Sequence, residues 1–186
     1  MKRLLSIEQQ ADGFLKKYRL RYDLGNGSRY DWEMVSPRLI KDAKDLHHGA
    51  NAVEMVARFP DGDFLLQKEY RYPANRFIYS FPCGMIDPGE SAEEAIRREL
   101  YEETGVSLLR IDRLLPPAFL AAGLTDEMMQ IAHVTVDGVP EAHPDFCEEI
   151  IPMKLSKEEI LHILQEDPLS INLSCLLVLD TFFNGL

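Results

Sequence analysis

Glu99 and Glu103 stand four positions apart, with Arg98 and Glu102 set among them and Glu90 upstream. Carboxylates four apart share one face of a helix, one turn above the other. On a wheel of about 100° per residue, Ala92, Ala95, Ile96 and Leu100 mark the apolar arc, and Glu99 and Glu103 fall in its middle, roughly 40° apart. Glu93, Glu94, Arg97, Tyr101 and Thr104 point elsewhere. Two carboxylates on an inward face are costly to bury unless their charge is compensated. A hard divalent cation is the natural compensation, and Mg2+ uses one or two carboxylates together with substrate phosphates. Glu102, at the edge of the arc, suits an outer ligand or one acting through water, and Arg98 one turn earlier holds it in place. Glu93 and Glu94 read as solvated surface, with Glu94 and Arg98 an i,i+4 pair.

The elements that must position these groups are legible on either side. Ser91 followed by Glu94 is a capping-box pattern, Gly105 sits where a left-handed residue ends a helix, and no Gly or Pro interrupts 92–104. Upstream, Pro82-Cys83-Gly84 ends an apolar strand, and Asp87-Pro88-Gly89 makes a tight turn. The predicted unit is strand, loop, helix.

The whole spacing is Gly84, five residues, Glu90, seven residues, Arg98-Glu99-Leu100, one residue, Glu102-Glu103, one residue, Gly105-Val106. It resembles the Nudix box, the signature of hydrolases that split nucleoside diphosphates linked to a further group, with every fixed position filled. The resemblance implies an α/β/α sandwich with a mixed sheet and an N-terminal antiparallel β-hairpin extension. It also implies Mg2+, with Mn2+ as a substitute, bound by Glu99, Glu102, Glu103 and the backbone carbonyl of Cys83, with Glu90 supporting the site. The Cys83 thiol itself reads as a small buried hydrophobe.

Upstream, residues 14–24 alternate Tyr18, Leu20, Tyr22 and Leu24 with charged residues, and Gly25-Asn26-Gly27-Ser28 turns the chain into a returning strand at 29–38. The stretch Trp32–Arg38, WEMVSPR, is similar to the start of the ADP-ribose pyrophosphatase branch. That resemblance implies a dimer built by the N-terminal sheet and an aromatic, here Trp32, stacked on the nucleobase; ordinary hairpin packing is the alternative. Strands are expected at 52–59, 64–71 and 77–82, with a hairpin turn at Pro60-Asp61-Gly62-Asp63. The stretch Glu69-Tyr70-Arg71-Tyr72-Pro73 resembles the QYR-type stretch of the same branch, which implies that Arg71 reaches a substrate phosphate; a surface ion pair with Glu69 or another acid is the alternative. His47 and His48, adjacent and so pointing apart, read as surface rather than a metal pair.

Strands at 108–115 and 128–136 flank a segment where the branch carries Ser-Pro-Gly and this chain has Ala121-Ala122-Gly123. Further on, the resemblance implies a carboxylate that orients or deprotonates the attacking water, with Glu148, Glu149 and Asp145 as candidates; a solvated acidic loop is the alternative. Helices are expected at 156–165, capped by Ser156 and Glu159, and at 170–183, with Pro168 between them.

A chain of 186 residues is expected to form one Nudix domain at 49–186 with an extension at 1–48 that serves dimerisation. A net charge of −11 argues against nucleic acid and anionic membrane, which need a basic surface. Cys83, Cys147 and Cys175 are widely spaced and without a CxxC pattern, which predicts neither a disulfide framework nor zinc. The N-terminus lacks the apolar run of a signal peptide, so the expected location is the cytoplasm. The expected activity is Mg2+-dependent hydrolysis of a phosphoanhydride in ADP-ribose or another nucleotide sugar. The catalytic candidates are Glu90, Arg98, Glu102, Glu148 and Glu149. The alternatives are GDP-sugar hydrolysis, a non-catalytic sensor of nucleotide sugars, and an RNA pyrophosphohydrolase.

Overall fold

The computed structural model describes residues 2–46, 49–142, 149–167 and 169–184. Its first seven strands are β1 (Arg3–Ala11), β2 (Lys16–Asp23), β3 (Arg29–Ser36), β4 (Ala52–Arg58), β5 (Phe64–Arg71), β6 (Arg76–Ser80) and β7 (Cys83–Met85). Helix α1 (Ala92–Thr104) precedes β8 (Ser107–Leu114), β9 (Ala118–Phe119), β10 (Met128–Asp137) and β11 (Ile150–Leu155). Helices α2 (Lys157–Glu166) and α3 (Leu173–Asn184) follow. The chain forms two compact units, Met1–Asn51 with Pro117–Met129, and Ala52–Pro116 with Gln130–Leu186. Among the described residues, no helix is long and apolar enough to cross a membrane.

In the larger unit the strands run in the order β11-β5-β4-β10-β8, with β6 beside β5 and β7 beside β4. Strand β4, AVEMVAR, is buried at every position before Arg58. Alternation along a strand sends successive side chains to opposite faces. Val53, Met55 and Ala57 accordingly pack with Ala95, Ile96 and Leu100 of α1. Val56 faces the other way and, with Phe64, Leu66 and Phe81, meets Ile160 of α2 and Cys175 and Leu179 of α3. A sheet apolar on both sides needs a helical layer on each, which yields the expected α/β/α sandwich.

Helix α1 starts where the sequence places its cap. The Ser91 hydroxyl accepts from the Glu94 N–H, and the Glu94 carboxylate accepts from the Ser91 N–H. It ends at Gly105, whose φ of 70° lies in the left-handed region and whose N–H donates to the Tyr101 carbonyl. The capping box spends Glu94 on Ser91, and Arg98 turns instead to Glu90, so the expected Glu94–Arg98 pair does not form. The i,i+4 pairs on this helix are Glu93–Arg97, at 3.6 Å, and Arg98–Glu102, at 3.2 Å. Thr104, expected to point outward, is buried, and its hydroxyl donates to the Leu100 carbonyl.

In the smaller unit β1, β2 and β3 form an antiparallel sheet, with Leu20 opposite Ile7 on one side and Trp32 on the other. The hairpin expected from 14–38 is present, and β1 adds a third strand at its edge. Most of β1 is exposed and its SIEQQA run lacks apolar alternation, so backbone pairing holds it without a period-two signal. Tyr18, Leu20, Met34 and Ile40 form the core of this unit. The Tyr18 hydroxyl donates to the Arg38 carbonyl (3.0 Å) and accepts from the Ile40 N–H (2.9 Å), which ties the chain beyond β3 to the sheet. His47 and His48 lie outside the described residues.

Candidate active site

Strand β7 pairs antiparallel with β4, with Gly84 opposite Val53 and Cys83 opposite Glu54. This pairing sets the β7 backbone against the face of α1 that carries Glu99. A Cβ built on Gly84 would lie 1.9 Å from Glu99 Cδ and 2.1 Å from its Oε1. The demand for glycine here is one of volume rather than of φ, because the Glu99 side chain occupies the space any Cβ would take.

Arg98 is the hub of the cluster. Its Nε donates to Glu90 Oε1 at 2.9 Å and its Nη2 to Glu90 Oε2 at 2.8 Å, a bidentate fork. Nη1 donates to Glu99 Oε1 at 2.7 Å and to Glu102 Oε2 at 3.2 Å. Nη2 also reaches the Met85 carbonyl at 2.9 Å, so all five guanidinium donors are engaged. One cation thereby fixes three carboxylates and the loop before the helix. The Arg98 fork, with the Asp87 N–H at 2.9 Å, holds the Glu90 carboxyl far below the ordinary range, at about 2. Its carboxylate partners push Arg98 further up, so it stays charged.

Glu103, one turn beyond Glu99, accepts from the Cys83 N–H at 3.3 Å. Burial pushes the Cys83 thiol up. Among the described residues, no three His, Cys, Asp or Glu side chains converge as a ready-made ligand set. The donor set nevertheless fits a divalent cation. Glu90, Glu99 and Glu102 accept from the Arg98 guanidinium, and Glu103, on the next turn of the helix, accepts from the Cys83 N–H. One or two carboxylates completed by substrate phosphate oxygens suffice for Mg2+.

Arg71 ion-pairs with Glu69 at 2.9 Å, the alternative that the sequence left open; its own side chain is half exposed and that of Glu69 is buried. Glu149 lies at this end of β5, where its carbonyl accepts from the Tyr70 N–H at 3.2 Å. Glu148 and Asp145 lie outside the described residues. Trp32 belongs to the smaller unit, where its Nε1 donates to the Gly123 carbonyl at 3.1 Å. Its ring, with Tyr30 and Met34, lines a largely apolar cavity of about 680 Å3. The loop that carries Ala121-Ala122-Gly123 closes on itself, with the Leu124 and Thr125 N–H groups donating to the Ala121 carbonyl.

Two buried polar groups were missed from sequence. Glu54, inside β4, accepts from the Ser174 hydroxyl at 2.7 Å through Oε1, while Oε2 is buried without a hydrogen-bond partner among the described residues. Burial pushes its carboxyl upward. Gln67 of β5 is fully buried, with both side-chain amide atoms unpartnered among the described residues. The available signal was their position: polar residues inside the apolar runs AVEMVA and FLLQ, which had to be buried whichever way they faced.

The chain matches the NUDIX domain over residues 49–168. It is 30% identical to an uncharacterised Nudix hydrolase of Schizosaccharomyces pombe over 97% of this chain and 89% of that one. Over 46% of its length it is 37% identical to the ADP-ribose pyrophosphatase of Saccharomyces cerevisiae, covering 38% of that enzyme. It spans about half, 48%, of a nudix hydrolase of Caenorhabditis elegans to which it is 36% identical over 110 residues. A solved structure described as an ADP compounds hydrolase shares the fold, with a TM-score of 0.71 at 22% identity over 99% of this chain and 95% of that one. With the domain match covering well over half of its length and a relative alike from end to end, this chain belongs to the Nudix family.

Proposed function

We propose that this protein hydrolyses the phosphoanhydride of a nucleoside diphosphate derivative, ADP-ribose or another nucleotide sugar, in a Mg2+-dependent reaction that Mn2+ also supports. The observation that carries the reading is the set of glutamates on α1 and its leading loop, three of them held together by Arg98. Bound there, the metal would neutralise charge developing on the diphosphate and lower the pKa of a water. Glu99 and Glu103 would hold it, with the Cys83 carbonyl and Glu102 at its edge. Arg98, itself held by Glu90, keeps Glu99 and Glu102 in place, and Gly84 leaves room for Glu99. Glu148 or Glu149 would take the proton of the attacking water. Phosphoryl chemistry of this kind needs positioning and charge stabilisation rather than a covalent nucleophile, which a carboxylate cluster supplies.

The substrate class rests on the likeness to the yeast ADP-ribose pyrophosphatase and on Trp32, whose flat ring lines an apolar cavity of a size suited to a nucleobase. Arg71 would reach a phosphate by exchanging Glu69 for it. We further propose that residues 1–48 are an extension used for homodimerisation, that 49–186 are the hydrolase domain, and that the enzyme acts in the cytoplasm. The test is a panel of ADP-ribose, other ADP-sugars, GDP-sugars and 5′-triphosphate RNA, assayed with and without Mg2+. Expected is Mg2+-dependent release of AMP and a sugar phosphate, fastest from ADP-ribose. Binding without turnover would make the protein a sensor, and turnover of RNA alone would replace the substrate class.

A further inference from the structure

We infer that the sheet face opposite α1 carries a second site, for a phosphate monoester attached to a flat ring, lined by Arg58, Arg110, His133, Thr135 and Phe182. Three neighbouring strands bring these residues together. Val56, on the face turned away from α1, fixes the side to which Arg58 points two residues later. On β10, Val134 and Val136 pack on the α1 side, so His133 and Thr135 face the other way. Arg110 of β8 is the register partner of Thr135. These side chains, with Asp112 and Phe182 of α3, line a cavity of about 560 Å3.

Its chemistry is that of an anion site. In a chain with net charge −11, two guanidiniums line this cavity against one carboxylate, Asp112, with an imidazole beside them. Arg58 lies beside the Phe64 and Phe182 rings, its Cζ 5.1 and 5.3 Å from their centroids. Among the described residues its guanidinium makes one long hydrogen bond, 3.4 Å to the Gly62 carbonyl, and so retains donors for a ligand. Asp112 is already engaged by the Arg110 Nε and by the Thr135 hydroxyl at 2.7 Å, and among the described residues the two Nη groups of Arg110 remain for a ligand. Burial and Arg113 push the His133 pKa down, leaving a neutral ring that can donate to or accept from a ligand. A free phosphate would fill only a small part of this volume, which lies in the range of small-molecule sites. The partly exposed Phe182 ring offers a flat surface for the rest of the ligand. None of these groups belongs to the α1 cluster, and the inference does not rest on the proposed hydrolysis.

The test follows the His133 ring resonances by NMR, assigned with His133→Gln, while AMP, inorganic phosphate or adenosine is titrated into the full chain with EDTA. EDTA removes metal-dependent binding at α1, so failure here leaves the hydrolysis proposal standing. Expected is a saturable shift with AMP, a weaker response to phosphate and none to adenosine. Loss of charged hydrogen bonds in R58Q/R110Q should weaken AMP at least about tenfold. If the double variant fails to fold, Arg110→Gln, whose side chain is mostly exposed, reports on the same contact. An unmoved His133 signal, equal binding in the folded variant, or adenosine binding as tightly as AMP would overturn the site.

Discussion

Replacing Gly84 with alanine adds one methyl group, and the structure says where it must go. The new Cβ would sit 1.9 Å from Glu99 Cδ and 2.4 Å from its Cγ. Ordinary carbon–carbon contact requires the carboxyl to retreat by roughly 2 Å. That movement breaks the 2.7 Å bond from Arg98 Nη1, a charge-assisted hydrogen bond worth about 1.5–3 kcal/mol. It also takes Glu99 away from the position proposed for the metal. Misplacement by about 1 Å can cost a hundredfold in rate, so Gly84→Ala should lower kcat by about two orders of magnitude or more. The fold should tolerate the change. Gly84 is not in the left-handed region, so alanine brings no backbone strain, and Ala95, Ile96 and Leu100 stay packed. The assay is steady-state release of AMP from ADP-ribose with saturating Mg2+, beside a thermal melt. A folded variant with near-normal kcat and unchanged Mg2+ dependence would refute the reasoning.

Trp32→Ala should raise KM roughly tenfold or more at unchanged kcat, since stacking of a base on an aromatic is worth about 1–3 kcal/mol; unchanged KM would remove the ring from substrate binding. Arg98→Lys keeps the charge but replaces a five-donor fork with an ammonium, so kcat should fall by about tenfold to a hundredfold, read in the same assay. Glu90 has its pKa lowered from 4.5 to about 2 by Arg98, so its contribution to stability is present above pH 4.5 and lost as pH falls through 2. The Tm gap between wild type and Glu90→Gln should accordingly close between pH 4.5 and 2, and a gap that widens there would reverse the sign.

What was legible in the sequence was what local chemistry determines. Ser91, Glu94 and Gly105 fix both ends of α1, and the apolar positions between them fix its inward face, so the placing of Glu99 and Glu103 followed from spacing alone. Choices among competing partners were not legible. Arg98 lies within reach of Glu94 along the helix, yet Glu90 offers both oxygens from the preceding loop while Glu94 is held by Ser91. Similarly, Arg71 pairs with Glu69 because alternation brings both to one face of β5. Strand β1 escaped notice because an exposed edge strand needs no apolar alternation. Glu54 and Gln67 required knowing that β4 and β5 are covered on both sides.

The central claim is that Glu99 and Glu103 together bind the metal through which the diphosphate is held. It is tested most directly by titrating Mn2+ into the wild type and into Glu99→Gln/Glu103→Gln, following free Mn2+ by electron paramagnetic resonance. The account predicts saturable binding in the wild type, tightened by a non-hydrolysable ADP-ribose analogue, and its loss in a double variant that still melts cooperatively. Equal Mn2+ binding by the two proteins would contradict it.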